Sequence, residues 1–62
     1  MRTFEKRSLV FGIIRKELRP TQTGKFHCYI VMDGNEVYTG TIDVDMEHAY
    51  ALELKEAGYL EV

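Results

Sequence analysis

The chain has 62 residues and a mass of 7.2 kDa, which allows one domain and one small core. Its formal net charge is -2, and its only cysteine, Cys28, excludes an internal disulfide and suits a reducing cytoplasm. The longest apolar run, Leu9 to Ile14, contains Gly12 and falls far short of the roughly 20 residues of a membrane span. It leads into Arg15-Lys16-Glu17 and not into small cleavage-site residues, so it does not read as a signal peptide, and a cytoplasmic protein is expected.

Residues 1–7 are polar and read as a flexible arm with Phe4 as its one anchor. Residues 8–18 are rich in β-branched and aromatic side chains and predict a strand. Pro20 and Gly24 mark the loop that follows. From Lys25 to Met32 the side chains of Phe26, Cys28, Ile30 and Met32 alternate onto one face, the period of a second strand. Asp33-Gly34-Asn35 tolerates the positive φ of a tight hairpin and reads as a three-residue loop. Glu36 to Val44 is then the third strand.

Asp45 can cap a helix whose first turn holds Glu47, where the helix dipole favours an acid. Met46, Ala49, Tyr50, Leu54 and Ala57 make one apolar stripe, and Gly58 suits the left-handed end. Tyr59-Leu60-Glu61-Val62 reads as a short last strand, parallel to the first and third because the helix reverses the chain once. The expected fold is therefore α+β. It is a three-stranded antiparallel β-meander with one C-terminal helix on one face and a short fourth strand, βββα(β).

Pairing arguments set a register. A three-residue turn places Ile30 opposite Tyr38, Cys28 opposite Gly40 and Phe26 opposite Ile42. Setting Leu18 against Phe26 puts Ile14 opposite Ile30, and on the reverse face Glu17 by His27, Arg15 by Tyr29 and Ile13 by Val31. The natural core face then holds Val10, Ile14, Leu18, Phe26, Cys28, Ile30, Met32, Tyr38 and Ile42. One helix covers one face only. The reverse face retains Leu9, Phe11, Ile13, Tyr29, Val31 and Val37, a contiguous apolar patch of the kind that marks a contact site.

Charge is divided along the chain. Residues 1–25 carry seven bases against two acids, hence +5; residues 26–62 carry Lys55 against eight acids, hence -7. Mutual attraction of the halves explains this simply. An alternative is nucleic-acid binding by the first hairpin through Arg7, Arg15, Lys16, Arg19 and Lys25, with Phe11 and Tyr29 to stack on bases.

Catalytic chemistry finds little support. His27 and Cys28 are adjacent on a strand and point to opposite faces, and no second cysteine or spaced histidine pair completes a zinc site. Asp43, Asp45 and Glu47 lack the glycine turn and distal acid of an EF-hand. No phosphate loop or activated nucleophile is evident. The expectation is a non-enzymatic protein-binding module without metal, cofactor or small-molecule substrate. It would form a homodimer or bind another protein through the bare sheet face. Its size suits an accessory or inhibitor protein of a phage or mobile element.

Overall fold

A computed structural model describes all of the chain, residues 1–62. Arg2–Ser8 (β1) is a strand and not the flexible arm its polar composition suggested. The reason is Phe4, whose ring is 0% exposed. Burying such a ring contributes about 1.5–3 kcal/mol. Its polar neighbours are satisfied by distant groups: Arg2 donates to Glu61 and Glu47, and Lys6 to the Ala57 carbonyl.

Gly12–Pro20 (β2) runs antiparallel to β1, Lys25–Met32 (β3) to β2, and Asn35–Asp43 (β4) to β3. A 3₁₀ turn, Val44–Met46, leads into the helix Glu47–Glu56 (α1). The chain then reaches Leu60–Glu61 (β5), which pairs with the free side of β1. The sheet order is β4-β3-β2-β1-β5. The class is the expected one, an antiparallel sheet with one C-terminal helix, but the sheet has five strands and not three with a short fourth. β5 runs in the same direction as β2 and β4, as a single reversal by the helix requires.

A 3₁₀ turn begins at Val44, ahead of the expected helix start, and α1 itself begins only at Glu47. Asp43 occupies the cap position of the 3₁₀ turn, so Asp45 lies inside the turn and caps nothing. The buried stripe is Tyr50, Ala51 and Leu54, whereas Met46, Ala49 and Ala57 are exposed. At the C-terminal end the Tyr59 amide donates to the Leu54 carbonyl and the Gly58 amide to that of Lys55, the paired bonds of a Schellman cap.

Both inner hairpins differ in register from the simple pairing. Leu18 faces Cys28 and Lys16 faces Ile30, two residues from the expected match. A two-residue shift keeps every side chain on its face, so the assignment of faces in β2 and β3 survives. In the β3–β4 hairpin, Asp33 (φ 50) and Gly34 (φ 78) make a two-residue turn with positive φ at both positions. Tyr29 therefore faces Tyr38, while Cys28 still faces Gly40. Thr39 is the extra residue of a β-bulge, and its hydroxyl donates to the Cys28 carbonyl. Gly40, at φ 151, adopts a conformation that side-chain-bearing residues rarely reach.

The bulge reverses the faces of β4 between Asn35 and Tyr38. Val37 moves to the helix side, opposite Ile30, and Tyr38 moves to the helix-free side, opposite Tyr29. Both assignments made from simple alternation are thus corrected.

The core is Phe4, Leu18, Cys28, Ala51, Leu54 and Tyr59, with Ile14, Phe26, Ile42 and Tyr50 packed around it. Ten helical residues span about 15 Å, whereas strands of eight or nine residues run about 28 Å. The helix therefore covers one half of its face. Ile30, Met32 and Val37, nearer the β1–β2 and β3–β4 turns, lie outside the core.

Candidate protein-contact site

The helix-free face is not a bare apolar surface. Down β2, Arg15, Glu17 and Arg19 alternate in charge, flanked by Glu5 of β1 and Glu36 of β4. Arg15 bonds Glu5 at 2.8 Å, and Arg19 bonds Glu17 at 2.6 Å and Glu36 at 2.9 Å. Glu17 is only 8% exposed, and the arginines on either side compensate its burial. These bonds favour the charged guanidinium and hold the Arg19 pKa above its ordinary value, with Glu36 the larger influence. The Arg19 guanidinium also lies 3.9 Å from the centre of the Tyr29 ring. Long polar side chains thus cover the sheet where no second helix packs.

An aromatic group continues this layer. Tyr38 meets Tyr29 edge to face at 5.8 Å and His27 at 5.5 Å. Thr41 hydrogen-bonds both His27 Nδ1, at 2.9 Å, and the Tyr38 hydroxyl. His27 is therefore held by Thr41 and Tyr38, not by the expected Glu17, and the cation over Tyr29 is Arg19 rather than Arg15.

The apolar residues expected on this face separate into groups. Ile13, Tyr29 and Val31 do lie on it, among the charges. Val37 is on the other side. Leu9 and Phe11 belong to no strand and form, with Val10, the three-residue turn between β1 and β2. The structure nevertheless brings Leu9, Phe11 and Ile13 together at one end of the sheet, with Val31 and Val37 on the strands approaching that end.

This turn is the most exposed apolar segment of the molecule: Leu9 is 104% exposed, Val10 81% and Phe11 47%. It is also tied in shape. The Ser8 hydroxyl accepts from the amides of Val10 and Phe11, both at 3.2 Å, and Gly12 closes the loop opposite Ser8. Val10, expected on the core face, is thus at the exposed tip. Ser8 and Gly12, on either side of three apolar residues, carry the turn signal that hydrophobicity obscures.

Ion pairing leaves a defined remainder of charge. Seven pairs engage Arg2, Arg15, Arg19 and Lys25, and most join the basic first part of the chain to the acidic second part. Lys6, Arg7, Lys16 and Lys55 have no carboxylate partner; the first three are on the two strands that lead to the tip, and Lys55 is in the last turn of α1. Of the residues that could serve nucleic acid, Arg7, Arg15, Arg19 and Lys25 share the helix-free face, but three of them are paired with acids. Lys16 is on the helix side, 5.7 Å from the Tyr59 ring centre.

The surface has no pocket, and no group of three or more metal-binding side chains gathers anywhere. Cys28 is buried beside Tyr50. Burial raises the pKa of the thiol, and burial together with the neighbouring thiol pushes the Tyr50 hydroxyl up to about 12. No helix is long and apolar enough to cross a membrane. No protein-family model, curated protein or solved structure matches the chain.

Proposed function

We propose that this chain is a small non-enzymatic protein-binding module, of the accessory or inhibitor kind, that contacts its partner through the hairpin end of the sheet. The observation that carries this reading is the tip Leu9-Val10-Phe11, three consecutive apolar residues held in an ordered turn and left in water. A run of exposed apolar residues in a folded chain is a fault unless something binds it. Ile13, Val31 and Val37 extend the contact toward both faces, and Tyr29 with Tyr38 borders it. Tyrosine and arginine are the residue types that dominate protein contacts.

The ion pairs of Arg15, Arg19 and Lys25 weigh against the nucleic-acid alternative, because their charge is already spent on carboxylates. A reducing cytoplasm fits the single buried cysteine.

Leu9→Asp with Phe11→Asp tests the site, since neither side chain supports the core. The wild-type chain, immobilised as bait and also sedimented alone, should retain a protein or a second copy of itself. The doubly substituted chain should lose that contact while keeping its circular dichroism. A wild type that binds nothing, or a variant that unfolds, would show that the tip serves the fold and not a partner.

A further inference from the structure

We infer that the partner of the hairpin end is a second copy of this chain, with α1 of each copy seated on the uncovered half of the other's helix-side face. This rests on the reading of that end as a contact site. α1 stands on one half of its face and leaves the other half open, so the molecule has the profile of a step. Two steps turned face to face by a two-fold axis fill each other.

The chemistry of the two halves matches. The open half carries Ile30, Met32 and Val37, and Lys16, opposite Phe4 and over the Tyr59 ring, stands at its border with the helix, its ammonium without an acid partner. The outward side of α1 presents Leu52, 46% exposed, with Glu53 and Glu56, which have no basic partner, and Lys55, which has no acidic one, so two free acids stand against one free base. An apolar strip bordered by a free cation thus meets an exposed leucine set in a net negative surface. Pairing tip to tip would instead bring the unpaired Arg7 of each copy together, and like charges across an interface are costly.

Area supports the same arrangement. A stable interface takes about 800 Å² from each partner, close to a fifth of the 4377 Å² surface of this chain. One three-residue tip falls well short of that. A two-fold contact uses the open half-face, the tip and the helix of each copy. Closed two-fold dimers are also the commonest homo-oligomers.

Sedimentation velocity over a range of concentrations tests the inference. The wild type should be a dimer, and high salt should weaken it. Val37→Asp and Leu52→Asp, both at exposed positions, should each weaken dimerisation about tenfold or more with an unchanged circular dichroism spectrum. Lys16→Glu alone makes the open half acidic against an acidic helix, and Glu53→Lys with Glu56→Lys makes the helix basic against a basic half-face. Each should be monomeric, and a 1:1 mixture of the two should recover the dimer, because both contacts are then complementary again. A monomeric wild type, a dimer indifferent to Val37 and Leu52, or a mixture that stays monomeric would overturn the inference. A monomeric wild type that still retains another protein through Leu9 and Phe11 would remove the second copy and leave the contact site standing.

Discussion

The Arg19 guanidinium lies 3.9 Å from the centre of the Tyr29 ring while bonding Glu17 on its own strand and Glu36 across two strands. That relationship shows how a five-stranded sheet manages with one helix: a planar cation lies over an aromatic side chain and joins two carboxylates. Arg19→Ala should lower stability measurably, because it exposes Tyr29 and leaves the nearly buried Glu17 with Arg15 alone at 4.0 Å. Arg19→Lys should recover less than half of the loss, since an ammonium cannot stack flat and bond both acids together. Chemical denaturation of the three proteins measures this, and equal stability of the lysine variant and the wild type would mean that charge alone matters.

Phe4 gives the sharpest test of β1. A flexible arm would tolerate its loss. As a fully buried ring among Leu18, Leu54 and Tyr59, Phe4→Ala should cost about 3–5 kcal/mol. A domain this small has only several kcal/mol of stability in total, so the variant should be largely unfolded at room temperature. Deletion of residues 1–7 should do the same by removing the strand between β2 and β5.

The helix can be tested by contrast. Leu54 is 6% exposed and Glu53, its neighbour, faces water. Leu54→Ala should cost about 2–5 kcal/mol, and Glu53→Ala about 0.5 kcal/mol or less in the isolated chain. Thermal unfolding at a concentration low enough to keep the chain monomeric separates these effects from dimerisation. Similar losses at both positions would place α1 between two packed surfaces within a single copy.

Stability should fall in alkali. The Tyr50 hydroxyl titrates near 12 in the folded chain against an ordinary value of 10.0, chiefly because burial disfavours its anion. Between those values the unfolded chain gives up the proton and the folded chain holds it, so unfolding gains with rising pH. The contribution of Tyr50 is therefore complete below about pH 10 and is lost as pH rises toward about 12. Cys28, also raised by burial, acts in the same direction from its ordinary value of 9.0 upward. Tyr50→Phe should flatten the upper part of this fall in urea midpoints measured across the range. An unchanged slope would mean that Tyr50 ionises freely in the folded chain.

Local chemistry determined much of this architecture. Alternation marked β3, Asp33-Gly34 marked the sharp reversal, and the run ending at Gly58 marked the helix, because each depends on backbone preferences within a few residues. The inward faces of β2 and β3 were legible despite a register two residues off, since strand periodicity repeats every two residues. What required the tertiary structure depends on groups far apart in the chain. β1 was hidden because Phe4 is its only fully buried side chain, and its Arg2 and Lys6 are satisfied by Glu61, Glu47 and Ala57 near the opposite terminus. The bulge at Thr39, which exchanges the faces of Val37 and Tyr38, arises from fitting a two-residue turn to a pairing already set between Cys28 and Gly40. The contact surface followed from both. The tip residues were visible as apolar, but their exposure depends on where a helix of ten residues stops along strands nearly twice its length.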